Sequence, residues 1–190
     1  MKCNDIMNRN LEWLTEKESI KSAAKKMADT GLGFLPICDA QMRVIGVVTD
    51  RDLTVRALAE RVDAETTSAA MVMTSPAVGC LVSTDVKEAE ELMALERKSR
   101  LVVTDANGAL AGVISLADLV EHTGGKQALR TVRAVLWREA LGARGGAPRG
   151  QPLLKDDPAA QNLPQGWPEL KARPTVFTGG NHTSDTKEFP

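Results

Sequence analysis

Two short stretches of this 190-residue chain pair a hydroxyl with a carboxylate three positions on. Thr49 and Asp52 stand in "VIGVVTDRDL" (44–53), and Ser115 and Asp118 in "LAGVISLADL" (110–119). In each, an apolar run of strand character ends at the hydroxyl residue and a helical pattern begins. The spacing is that of a capping box, in which the hydroxyl and the carboxylate satisfy free N–H groups at a helix start. It also suits a sugar phosphate. Free N–H groups and a hydroxyl at a helix start attract phosphate, and a carboxylate one turn in can accept charge-assisted bonds from a ribose diol. Arg51 lies between them and is placed to pair with phosphate oxygens. The two roles coexist, because the cap builds the turn and a ligand uses what remains.

The chain repeats at a spacing of 66 residues. Sliding 5–53 onto 71–119 without a gap gives 12 identities in 49 positions, among them Met7/Met73, Met27/Met93, Leu35/Leu101, Asp39/Asp105, Gly46/Gly112 and Asp52/Asp118. Each copy shows the same order of elements. "SIKSAAKKMADTG" has apolar residues at helical spacing, with Ser19 as N-cap and Gly31 as the stop. "FLPICD" and "VIGVVTD" are strands joined by a tight polar turn, and the second copy has Asn107-Gly108 at that turn. A second helix follows each hairpin, and an extended lead-in precedes the unit ("NLEWLTE", "AVGCLVST"). The expected fold class is α+β: two small sheets with helices, packed sheet to sheet about a pseudo-twofold axis that creates two equivalent clefts. One unit of about 60 residues buries too little surface to be comfortable alone. The expected segments are 1–66, 67–124, a C-terminal amphipathic helix over 125–142, and an extended or disordered tail over 143–190.

Bulk properties narrow the function. Residues 1–125 carry 14 Lys/Arg and 19 Asp/Glu, whereas residues 126–190 carry 10 and 6. Three cysteines without a CxxC pattern indicate neither a disulfide framework nor a zinc site. Cys38, on an apolar strand, reads as an inert buried thiol, and the recurring methionines as core filling. Trp13 is either core or a platform for a purine, with core the stronger reading. His122 and His182 lack positioned partners. No signal peptide or membrane span is expected, which points to a cytoplasmic protein. No nucleophile–base pair, metal set or phosphate-binding Walker loop is present, so catalysis is not expected. In the C-terminal helix, Leu129, Val132, Leu136 and Ala140 form one stripe, with Lys126, Arg130 and Arg133 off it.

The motifs "DIM" (5–7), "LPICD" (35–39) and "GVVTDRDL" (46–53), with "MVM", "LVVTD" and "GVISLADL" in the second copy, resemble a pair of CBS (cystathionine β-synthase) domains, a Bateman module. The resemblance covers residues 1 to about 123. It implies a regulatory sensor module that binds an adenosyl ligand: AMP, ADP, ATP, S-adenosylmethionine or NAD. It implies that Asp52 and Asp118 hold ribose, and that Thr49 and Ser115 meet phosphate. Leu14, Phe34, Leu35 and Pro36 would line the first base pocket, and Cys80, Arg100 and Leu101 the second. Leu116-Ala117 replaces Asp50-Arg51 in the second copy, and Arg100 is the candidate to supply the missing charge. The resemblance also implies a homodimer of four repeats. The alternative is a dimeric scaffold whose basic C-terminal helix and tail bind nucleic acid or a protein partner.

Overall fold

A computed structural model of the chain describes residues 1–123 and 128–136, and the backbone of 176–177. The elements of the first repeat are α1 (Cys3–Ile6), β1 (Leu14–Thr15), α2 (Ile20–Thr30), β2 (Phe34–Cys38), β3 (Val44–Thr49) and α3 (Asp50–Asp52). α3 widens into a π-helical turn over Leu53–Leu58. The second repeat has a 3₁₀ turn (Ala69–Met71), β4 (Ala77–Leu81), α4 (Val86–Glu96), β5 (Arg100–Thr104), β6 (Leu110–Ser115) and α5 (Leu116–Thr123). β7 (Val176–Phe177) pairs antiparallel with β4, so one short piece of the expected tail is a strand. The two sheets run β1-β2-β3 and β6-β5-β4-β7.

The local signals fold as read. Ser19 Oγ accepts from the Ser22 amide, and Gly31 closes α2 at φ 69°. Each hairpin turn is held by its leading aspartate: Asp39 Oδ1 accepts from the amides of Gln41 and Arg43, and Asp105 Oδ1 from those of Asn107 and Ala109. Even the register break is duplicated, between Ile37 and Cys38 in one sheet and between Val103 and Thr104 in the other. The sheets meet through Cys38, Val44, Ala77, Val102 and Val113, with Trp13, Phe34 and Val47 packed against them. Trp13 thus serves the core. The two hairpin tips are also bonded directly, Val44 N to Gly108 O at 3.1 Å and Leu110 N to Met42 O at 2.9 Å.

The leading segments cross over. Cys3, Ile6 and Met7 belong to the core of the second repeat, with Val86, Met93, Leu101 and Leu119. Ala69, Val72 and Met73 belong to that of the first, with Leu14, Met27, Leu35 and Val48. Each crossing segment makes a two-bond bridge to the receiving sheet: Asn8 with Val113 (2.9 and 3.0 Å) and Thr74 with Val47 (2.8 and 3.0 Å). Glycine makes room for them. A Cβ on Gly112 would lie 2.7 Å from Met7 Sδ and 2.9 Å from Asn8 O. A Cβ on Gly46 would lie 2.5 Å from Met73 Sδ and 3.0 Å from Thr74 O. The repeated Met and Gly of the sequence are one device used twice.

Residues 128–136 are helical, but the buried side is not the expected stripe. Ala128, Thr131 and Val135 are buried, while Leu129 and Leu136 are each 50% exposed. Val135 joins the core of the second repeat, and the small residues at 128 and 131 allow close approach to it. Burying the leucines would require rotating these out. Lys126 and Ala140 lie outside the described residues, as does the tail apart from the backbone of 176–177.

One buried charge has no precedent in the first repeat. Glu90 is 2% exposed on α4, where the position 66 residues earlier holds Ala24. Its Oε1 accepts from Thr123 Oγ1 at 2.9 Å, tying α4 to α5. Burial pushes its pKa up, the hydrogen bond opposes this, and nearby Glu91 adds to the rise.

Gly112→Ala and Gly46→Ala each lower stability by about 1–3 kcal/mol through overpacking, measured by urea unfolding. Adding Met7→Ala to Gly112→Ala gives a clearly non-additive result in a double-mutant cycle, because the two side chains compete for one space. For Glu90 the folded pKa lies above the unfolded value, so its contribution to stability is full below the unfolded pKa and lost as pH rises through the folded one. Relative to wild type, Glu90→Gln is therefore stabilising at neutral pH, and the difference shrinks towards acid. Thermal melts of the two proteins across pH measure it.

Candidate functional site

Both hydroxyl–carboxylate pairs form at the start of a helix, where the strand ends and the amides of the first turn are free. In the first repeat Asp52 Oδ2 accepts from Thr49 N (2.9 Å) and Thr49 Oγ1 (2.7 Å), while Asp52 N donates to Thr49 Oγ1 (3.2 Å). In the second, Asp118 Oδ2 accepts from Ser115 N (2.7 Å) and Ser115 Oγ (2.6 Å), and Asp118 N donates to Ser115 Oγ (3.2 Å). The cap is complete in both. It uses one carboxylate oxygen and leaves the other, Oδ1, for something else.

What Oδ1 meets differs between the repeats. Asp52 is 9% exposed. Its Oδ1 lies 3.5 Å from Arg56 Nη1 and accepts from Thr74 Oγ1 at 3.5 Å. The same Arg56 nitrogen donates to the carbonyls of Val72 (3.0 Å) and Met73 (2.8 Å), so the guanidinium clamps the crossing segment against the carboxylate. The position 66 residues after Arg56 is His122, whose Nδ1 turns back to the Asp118 carbonyl at 2.8 Å. Asp118 Oδ1 has no ion pair or hydrogen bond among the described residues. Asp118 and Ser115 instead open on a cavity of about 140 Å³.

That cavity is shared between the repeats. Ser115, Asp118, Val113 and Arg100 come from the second; Leu32, Phe34 and Pro36 form an apolar wall from the first; Asn8, Leu11 and Glu12 come from the crossing segment and lead-in. The guanidinium carbon of Arg100 sits 5.9 Å from the centroid of the Phe34 ring, a cation–π contact near the join of the two sheets. The cavity thus offers a carboxylate, a hydroxyl and a guanidinium to a polar group, and an aromatic and a proline face to a flat one.

The structure places the expected site residues differently in four respects. Phe34 and Pro36 line the cavity with Ser115 and Asp118, not one with Thr49 and Asp52, because β2 faces the other sheet across the axis. Leu14, Leu35 and Leu101 are fully buried and belong to the two repeat cores. Cys80 is 3% exposed and points into the second core against Cys3. Strand alternation accounts for this: with Phe34 and Pro36 on one face, Leu35 must lie on the other, and Leu101 likewise opposes Arg100. Arg51 is exposed and does not line the cavity. The reading missed Asn8, Leu11, Glu12, Leu32 and Val113. Asn8 had a signal, since it directly follows the repeated Met7.

Comparison with known proteins agrees with the doubled architecture. A family model of the CBS domain matches residues 3–58 and again residues 69–125. The chain belongs to the CBS domain family. Its CBS pair is 28% identical over 137 residues to hypoxic response protein 1 of Mycobacterium tuberculosis, spanning 72% of this chain and 95% of that one. The crystal structure of hypoxic response protein I with two coordinated zinc ions superposes with a TM-score of 0.60, covering 64% of this chain and 98% of that one. A CBS domain protein of Pyrobaculum aerophilum complexed with AMP is 27% identical, with a TM-score of 0.58, covering 74% and 98%. The cavity at Asp118 and the clamped carboxylate at Asp52 are the two pseudo-equivalent positions of this CBS pair.

Because each hydroxyl is a helix cap before it is anything else, Thr49→Ala and Ser115→Ala each lower stability by about 1 kcal/mol in ligand-free protein. Urea unfolding checks this, and any effect on binding is read against it.

Proposed function

We propose that this CBS pair is a regulatory module that binds one adenosine-type ligand per chain, at the carboxylate of the second repeat, without catalysing a reaction on it. The observation that carries the reading is the contrast in Oδ1. Asp118 is open to a cavity with an aromatic and a proline wall, while Asp52 is held by Arg56. A ribose diol donating to Asp118 Oδ1 gains a charge-assisted bond. The purine lies against Phe34 and Pro36, and a 5′ phosphate finds Ser115, the N-terminal amides of α5 and Arg100. The AMP complex of the Pyrobaculum relative supports the ligand class. AMP, ADP, ATP, S-adenosylmethionine and NAD are the candidates, and Leu116-Ala117 at the helix start favours ligands with few phosphates.

The functional assembly on this reading is a cytoplasmic homodimer. Leu58 and Met71, at 75% and 79% exposed, are large apolar side chains left open to solvent, which supports burial against another chain. No described helix is long and apolar enough to cross a membrane. The nucleic-acid alternative would use the basic C-terminal segment, of which Arg130 and Arg133 are exposed; Asp118 and Glu12 in the cavity favour a small sugar ligand over a polyanion.

Ligand-stripped protein gains thermal stability with at least one of the candidates, by about 2.7 kcal/mol at a hundredfold excess over Kd. Asp118→Ala abolishes the shift, while Asp52→Ala leaves it largely intact, and calorimetry counts one site per chain. No shift with any candidate, or loss with Asp52→Ala instead, overturns the proposal.

A further inference from the structure

Two of the three cysteines touch. Cys3, on α1, and Cys80, on β4, are 77 positions apart in sequence, and the Cys80 thiol donates to Cys3 Sγ at 3.6 Å. Both are free thiols inside the second core. Cys3 belongs to the crossing segment, and Cys80 to the strand on which that segment closes. The backbone between them is already tied, with Cys3 N donating to Thr84 O (2.9 Å) and Asn4 N to Val82 O (3.0 Å). A disulfide requires the two sulfurs to close from 3.6 Å to about 2.05 Å.

We propose that Cys3 and Cys80 form an oxidisable dithiol, closed to a disulfide by a hydroperoxide, that staples the crossing segment to the second repeat. The Cys3 sulfur attacks the peroxide oxygen, the O–O bond breaks, and a sulfenic acid forms with release of water (or the corresponding alcohol). The Cys80 sulfur then displaces hydroxide from the sulfenic sulfur, and the thiol proton leaves with it as a second water. Two thiols lose two electrons and the peroxide gains them. The assignment of roles follows the hydrogen bond: the Cys80 S–H lowers the pKa of Cys3, while Cys80 itself is raised, first by that bond and then by burial. Cys3 itself is buried, and access comes through α1, a single four-residue turn whose Asn4 and Asp5 are exposed. Cys38 is different: it lies between the sheets, and burial, with Asp39 adding, pushes its thiol up to about 12.

The consequence reaches the cavity. The segment that begins at Cys3 continues through Met7 to Asn8, which lines the cavity and pairs with Val113. Oxidation fixes one end of that wall; reduction leaves it held by packing, backbone bonds and the Lys2–Asp85 ion pair.

The test uses the full reduced chain treated with hydrogen peroxide, alkylated and digested without reductant. The expected result is a Cys3–Cys80 linked peptide with Cys38 alkylated, and a rise in Tm of about 5 °C or more that dithiothreitol reverses. Cys38→Ser keeps the shift and Cys80→Ser loses it. Both thiols recovered unlinked, over-oxidation of Cys3 to a sulfinate, or a link to Cys38 or between chains would each overturn the proposal. The mapping is done on wild type, so a poorly folding variant does not decide it, and nucleotide binding plays no part in the readout.

Discussion

The fold rests on a reciprocal contact between a methionine and a glycine. Met7 of the first repeat lies on Gly112 of the second, and Met73 of the second on Gly46 of the first. The contact is tight because the neighbouring residue of each crossing segment bonds to the strand beside that glycine. Side chain and backbone arrive together, and only a residue without Cβ admits both. Each repeat therefore completes its core with a segment from the other. A unit of this size has too little interior to stand alone, and the exchange makes independence impossible for either repeat.

The same contact sets the position of the site. Asn8 and Thr74 follow directly after the crossing methionines, and each is brought beside the strand that ends in a hydroxyl–carboxylate pair. In the second repeat, Asn8 borders a cavity. In the first, Thr74 bonds to Asp52, and Arg56 locks the carbonyls of the crossing segment to the same carboxylate. Two copies of one sequence thus give one open and one internally satisfied carboxylate. The difference lies at two positions, where Arg56 and Thr74 of one carboxylate's surroundings are replaced by His122 and Asn8 at the other.

Much of this was legible in the chain. The repeat, the α+β class, the hairpins with their tight polar turns and both capping boxes follow from spacing and local chemistry, which short-range forces decide. The partners across the axis did not follow. The family resemblance implies one pocket for Phe34 and Asp52, whereas Phe34 lines the cavity with Ser115 and Asp118. Period-two alternation could have separated Phe34 and Pro36 from Leu35, and Arg100 from Leu101, since no two consecutive strand residues share a face. The helix at 128–136 failed for a different reason. Hydrophobic spacing picked out the leucines, whereas the core accepted the smaller residues, Ala128 and Thr131, that let the helix approach closely.

The cap and the site are one construction seen twice. A hydroxyl and a carboxylate are required at the strand-to-helix corner whether or not a ligand binds, because the first amides of the helix need acceptors. That requirement consumes Oδ2 and fixes the carboxylate plane, so Oδ1 is aimed without further cost in side-chain freedom. Whether Oδ1 then faces a cation or a cavity depends on residues that the cap does not constrain. A doubled fold can therefore keep both corners for stability while only one is left free for recognition, and divergence at the two positions that meet Oδ1 separates them.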